Sequence, residues 1–228
     1  MKIKATAFLS IGLFMIALVS FAFNAGAANQ PEAVNSVVDT KLTTAEMSGT
    51  YEFGKPHTTI GFRVMHFGLT EVPGSFRDYT GTINYDAADL AKSSVQFTAK
   101  IASIDTGIAA RDTHLKSADF FDAEKFPELS FKSTKIEKKG NGIIATGDFT
   151  IKGVTKQISL PFQITGVVKD GQGGILMGAS AQTVINRQDY GVSWNKTLDN
   201  GTLVLDNNVK VDLQIEAAKQ QPKTETVK

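Results

Sequence analysis

The chain has 228 residues, with 24 Lys and Arg against 23 Asp and Glu, and its formal charge of +1 gives no electrostatic footprint for a nucleic-acid partner. It contains no cysteine, which excludes disulfides, thiolate chemistry and lipid attachment through a cysteine, so the fold must rest on an apolar core. With 42% hydrophobic residues over this length, one such core is easily built.

From the start of the chain, Lys2 and Lys4 form a positive region, residues 5–23 are apolar and uncharged, and Ala25-Gly26-Ala27 supplies small residues at a cleavage site. This pattern predicts a signal peptide over residues 1–27, cut after Ala27, and a periplasmic protein. Without the two lysines the mature charge is −1. Residues 28–48 are polar, carry Pro31 and show no sustained period, which predicts a flexible tether. Residues 220–228 read as a similar tail, leaving 49–219 as the folded domain.

Within that domain almost every segment alternates. Ile60, Phe62, Val64 and His66 share one face of a strand, Val95, Phe97, Ala99 and Ile101 one face of another, and Ile158, Leu160, Phe162 and Ile164 one face of a third. The segment around Arg111-Asp112-Thr113-His114-Leu115 breaks the pattern. There Asp105-Thr106 is placed to cap a short helix, and Ser117 a second one that turns Phe120 and Phe121 toward the body. Farther on, Lys139-Gly140-Asn141-Gly142, Lys152-Gly153-Val154-Thr155 and Asp170-Gly171-Gln172-Gly173-Gly174 are strand connections. The last strand turns Val209, Val211, Leu213 and Ile215 inward, against Lys210, Asp212, Gln214 and Glu216 outward. About eight strands with one helical insertion predict an all-β antiparallel barrel, with a sandwich as the alternative. A barrel of eight strands has room for one small ligand. The small residues Ala99, Ala145, Gly147, Ala179 and Ala181 would either leave its centre unfilled or let the sheet curve tightly.

Five motifs carry a resemblance to a known family. They are residues 62–68 with 72–76 and 81–83; residues 111–115; residues 117–122 with 126–127; residues 147–155; and residues 185–192. In this order they resemble the signature of the YceI-like family of exported lipid-binding proteins, over roughly residues 49–217. The resemblance implies a lipocalin-like antiparallel barrel that holds a long isoprenoid or other amphiphilic chain in an interior tunnel. One departure is Pro73, which leaves the geometry of the expected turn before Gly74 open.

On this reading the tunnel wall draws on Phe62, Val64, Phe76, Phe97, Ile101, Phe120, Phe121, Phe131, Phe149 and Phe162. Candidates for holding a polar head are His66, which ends an inward series, with Arg111, His114, Asn186 and Arg187. Each has a plainer role as a satisfied core or bracing residue. His57, after Pro56, reads as surface. The chain has no Gly-x-Ser-x-Gly elbow and no His-Glu-x-x-His, and its three histidines are irregularly spaced, so neither an enzyme nor a metal centre is expected. The expected function is a binding or carrier protein, without covalent cofactor, for an isoprenoid lipid or isoprenoid quinone. The alternatives are a secreted stress or interaction protein with an incidental cavity and, more remotely, an enzyme acting on a lipid. A transient membrane-protein partner and a homodimer are left open.

Overall fold

Two-residue turns and long alternating runs set the architecture. At Lys152-Gly153 both residues have positive φ, 49° and 74°, so Ile151 pairs directly with Val154 across a hairpin. Glycine is required at the second position for a further reason: a Cβ there would lie 2.5 Å from the ring of Phe126. The computed structural model describes residues 37–38, 41–140 and 142–221. Its strands are β1 (Val37–Val38), β2 (Gly49–Phe53), β3 (Thr59–His66), β4 (Thr70–Phe76), β5 (Tyr79–Tyr85) and β6 (Ser94–Lys100). They continue with β7 (Ile104–Asp105), β8 (Glu128–Lys139), β9 (Gly142–Ile151), β10 (Val154–Lys169), β11 (Ile175–Asn186) and β12 (Leu205–Lys219). Two short helices accompany them, α1 (Thr44–Met47) and α2 (Ala109–Lys116).

Eight strands close on themselves. The antiparallel circuit runs β2, β5, β6, β8, β9, β10, β11, β12 and back to β2. Closure removes the free edges that an open sheet would expose. β12 has two partners in succession: Ala217–Lys219 pair with β2, and residues 205–214 pair with β3. The β3–β4 hairpin therefore extends the wall at one end of the barrel, with β7 adding to β4 only at Ser75 and Phe76. β1 lies parallel to β10 at Gly166 and Val167, beyond the reach of β9.

Several expectations from the sequence need correction. The segment assigned to a polar tether is built into the fold at its described residues: β1 pairs with β10, Leu42 is buried, and Thr43 begins α1 with a reciprocal capping box. The Thr43 hydroxyl accepts from Glu46 N–H at 3.2 Å, while Thr43 N–H donates to the Glu46 carboxylate at 2.8 Å. The signal-peptide segment, residues 28–36 and most of the tail lie outside the described residues. Asp105 and Thr106 do not cap α2, whose first flanking residue is Ile108; Asp112 instead reaches back from the first turn and accepts from Thr106 N–H at 2.9 Å. Ser117 starts no second helix. It closes α2, donating N–H and hydroxyl to His114 O, because the chain after it turns to bring Phe120 and Phe121 inward. Pro73 sits within β4 opposite Arg63, not in a turn; β4 is paired on its far side only at Ser75 and Phe76, so a missing N–H costs no ladder bond. Ile101 lies in a 3-10 turn after β6 rather than in the strand.

The interior has two parts. The larger is organised around Ile60, Phe97, Phe131 and Phe149; the smaller gathers Leu42, Tyr51, Val167 and Met177 beneath α1. Tyr51 is completely buried, and its hydroxyl donates to Met47 O at 2.5 Å, tying α1 to the wall. Burial pushes the Tyr51 phenol up from 10 to about 12. With the folded value above the unfolded one, the stabilisation is complete below pH 10 and declines as pH rises through 12. We expect Tyr51 to contribute about 2–3 kcal/mol to this loss, measurable by chemical denaturation at pH 9 and at pH 12. Tyr51→Phe should flatten that slope, leaving the smaller contributions of Tyr79, Tyr85 and Tyr190, whose phenols are also raised by burial. An unchanged slope in the variant would place the alkaline sensitivity elsewhere.

Candidate apolar ligand site

The interior end bounded by β3, β12 and α2 is not filled. A cavity of about 110 Å³ lies there, walled by Phe62, Val64, Val209 and Val211 from the paired strands β3 and β12. Phe76, Phe97 and Phe149 face it from the other strands. The chain after α2 supplies Phe120 and Phe121, as the sequence pattern anticipates, and α2 itself supplies Leu115. Along β3 burial falls from Ile60 to half-buried Phe62 and Val64, and along β12 from Leu213 to half-buried Val211 and Val209. The cavity therefore opens toward the barrel end where His66 pairs with Leu205.

Aromatic rings occupy much of this end. Phe62 lies 5.8 Å from Phe76 between centroids, and Phe76 lies 6.2 Å from Phe121 edge to face. Trp194, in the β11–β12 connection, packs 5.1 Å from Phe120 and 5.3 Å from His114, so one aromatic cluster joins that connection to α2. Three predicted wall residues lie elsewhere. Ile101 and Phe131 are buried in the core, Phe131 stacking 6.0 Å from Phe97, and Phe162 packs against the core without facing the cavity. The small residues likewise do not line it: Ala99 and Ala145 are fully buried within the packed wall. The space is bounded by large side chains that leave a gap, not by small ones that fail to fill it.

The polar candidates separate into one that borders the cavity and four that do not. Arg187, only 5% exposed, is the sole polar or charged side chain among the described residues lining it. It follows β11 in a 3-10 turn and binds the returning chain: Nη1 donates to Val192 O at 2.7 Å and Trp194 O at 2.8 Å, and Nε donates to Asp206 O at 3.0 Å. Nη2 donates to Asn207 Oδ1 at 3.3 Å. Burial pulls this guanidinium below its usual value, opposed by the charge of Asp206. Asn186 caps the same turn, accepting from Gln188 N–H at 3.0 Å. Arg111 is engaged locally, donating to Thr106 O and Oγ1, each at 2.7 Å. His114 pairs with Asp119 at 2.9 Å on the outer side of α2. His66 stands at the cavity mouth with its ring on Phe67, 4.1 Å between centroids, but does not line the space. His57 is exposed and pairs with Glu216 at 2.7 Å.

Among wall residues the sequence reading missed, Ile185 was legible from the alternation of β11, whereas Val192 and Leu205 come from an irregular connection and its exit, where no period exists. Among the described residues no group of His, Cys, Asp or Glu is placed to hold a metal ion.

Comparison with known proteins adds four findings. A family model described as a YceI-like domain matches residues 51–217. The UPF0312 protein plu2095 of Photorhabdus laumondii is 42% identical over 134 residues, 59% of this chain and 70% of that relative. Among solved structures, the YceI protein of Campylobacter jejuni superposes with a TM-score of 0.59 at 33% identity, covering 67% of this chain and 88% of the other. A polyisoprenoid binding domain from Saccharophagus degradans shares the fold, with a TM-score of 0.55 at 12% identity over 76% of this chain and 99% of that domain.

Proposed function

We propose, since this chain belongs to the YceI-like family, that it holds a long-chain isoprenoid or related amphiphilic lipid in the cavity between β3, β12 and α2. The observation that carries this reading is the lining: Arg187 apart, every side chain on it is apolar. A lipid chain gains about 0.8 kcal/mol for each methylene-sized group removed from water, so such a wall retains it without specific polar contacts. A space of about 110 Å³ is too small for an entire polyprenyl chain. Binding must turn rings aside, and half-buried Phe62 and Phe121 are freer to do so than buried core rings such as Phe76. Likeness in fold to a polyisoprenoid binding domain supports the ligand class, quinone and polyprenyl heads included. The wall also presents no nucleophile and no acid–base pair, which favours a carrier over an enzyme.

We place the working protein in the periplasm, on the strength of the charge-free run ending in Ala25-Gly26-Ala27. Purification from a periplasmic extract tests both parts of the proposal. The protein should begin at or near Ala28, and mass spectrometry of its organic extract should contain an amphiphilic isoprenoid. Adding that lipid back to delipidated protein should give a strongly negative heat-capacity change, as burial of a long apolar chain does. An intact Met1 in a membrane fraction would overturn the location. An empty extract together with no heat-capacity change would overturn lipid binding and leave an incidental cavity.

A further inference from the structure

The described residues leave six large apolar side chains exposed: Leu69, Ile108, Val154, Val184, Leu198 and Leu203. Single exposed apolar residues need no explanation, but these are all at one end of the barrel. β3 ends at His66, where Leu69 tips the turn into β4, and β12 starts opposite at Leu205. Val184 lies two residues before the end of β11; Lys156 reaches Asp189 just beyond that end, which puts neighbouring Val154 at the same level. Ile108 opens α2, which bounds the cavity there. The opposite end, with α1 and the β8–β9 and β10–β11 connections, exposes Lys138, Lys139, Lys169 and Asp170 and, among the described residues, no large apolar side chain. Leu69 is 83% exposed and is held out by the backbone: Phe67 and Gly68 have φ of 53° and 68°, and Leu69 N–H donates to His66 O at 2.9 Å. Phe67 N–H donates to Val204 O at 3.0 Å, setting this turn beside the small hairpin 196–204 that carries Leu198 and Leu203. We propose that this end docks on the surface of a lipid bilayer, Leu69 and Leu198 entering its acyl boundary, so that an amphiphile passes between membrane and cavity without crossing water. The inference rests on the lipid-binding reading above and adds the partner of the same site. Charge favours a bilayer over a protein with a charged face. Near the tips Glu71 pairs with Lys210 and Lys156 with Asp189, while Lys196 and Asp199 of the hairpin have opposite signs. Separate tips around an opening also present no continuous face to a rigid partner, whereas a fluid surface admits each of them.

The test uses the full mature chain and vesicles of phosphatidylcholine, with and without added phosphatidylglycerol. Because the chain has no cysteine, a fluorophore can be attached at Leu69→Cys and, in a second protein, at Gln172→Cys in the β10–β11 connection of the other end. Brominated acyl chains should quench the label at position 69 and leave the one at 172 unchanged. Joint replacement Leu69→Ser with Leu198→Ser should weaken co-flotation with vesicles at least about tenfold, since two leucines lose their burial. Wild-type flotation should respond little to salt or to phosphatidylglycerol, as an apolar contact does. Geranylgeraniol delivered from ethanol should bind wild type and double variant alike. Melting curves establish that the double variant folds, as substitutions at exposed positions allow; should it not, the two labels decide. Quenching absent or equal at both ends, flotation abolished by salt, or flotation unchanged in the folded double variant would each overturn the inference. Concentration-dependent dimerisation that the double variant loses, with no flotation of the wild type, would overturn it in favour of a second copy of this chain. Failure of geranylgeraniol to bind while the label at 69 is quenched would overturn the lipid-binding reading and leave the docking standing.

Discussion

Replacing Phe97 with Asp is expected to abolish the cooperative thermal transition of the barrel. Phe97 is 5% exposed, stacks on Phe131 and faces the cavity from the buried side of β6. A carboxylate there loses its hydration at a wall that is apolar apart from Arg187, whose guanidinium is already engaged with the β11–β12 connection, a cost above about 5 kcal/mol and comparable to the whole stability of an ordinary domain. Phe62→Asp is the informative companion. Phe62 also lines the cavity, but it is half-buried toward the open end, where a charge can remain in contact with water. That variant should keep a cooperative transition and lose its co-purified lipid. Circular dichroism melts and lipid extraction of the two proteins read the difference. A Phe97→Asp protein melting within about 5 °C of wild type would show that the wall around β6 is far looser than its burial implies.

The second large effect is expected at Gly147. A Cβ there would stand 2.3 Å from Lys132 O and 2.6 Å from Ser133 Cα, both backbone atoms of the neighbouring strand. The close approach falls beside the bulge between Ser133 and Lys135, where β8 shifts register against β9. Neither atom can move without parting the ladder, so Gly147→Ala should cost about 3 kcal/mol, a drop in Tm of roughly 6–12 °C. Gly142→Ala provides the control: its Cβ would meet only Lys139 O at an ordinary 3.9 Å, and the change should stay within about 0.5 kcal/mol. Equal losses from the two substitutions would remove close packing as the reason for Gly147. The same geometry decides between the two sequence-level roles of this glycine: it lets two strands approach and curve, and it borders no empty space.

How much of the site was legible depends on what produced each signal. Alternation in β3 and β12 put Phe62, Val64, Val209 and Val211 on the inner face, because a strand reverses side chains at every residue and the pattern is written locally. It also put His66 inward, yet a period of two carries no information about where a wall ends, and His66 falls at the mouth. Arg111 and His114 stood out as charge and imidazole in a non-alternating segment. Their partners, Thr106 and Asp119, lie five residues away in the chain, close enough for local bracing to take both side chains.

By itself the sequence determined the all-β class, the hairpin turns and most inward faces, since each is fixed by neighbours in the chain: period-two polarity, glycine at positive φ, and a run of motifs characteristic of the YceI-like family. It also contained the Thr43–Glu46 capping box, hidden within a polar stretch whose composition outweighed it. Only the tertiary structure decided that β12 changes partner from β2 to β3, leaving an unfilled end, and that Arg187 alone of five polar candidates borders the gap. Both depend on contacts between segments far apart in sequence. Whether a side chain is spent on bracing or left facing a cavity is set by which carbonyls fold back within its reach; for Arg187 these come from Val192, Trp194 and Asp206, brought together by the return of the chain into β12.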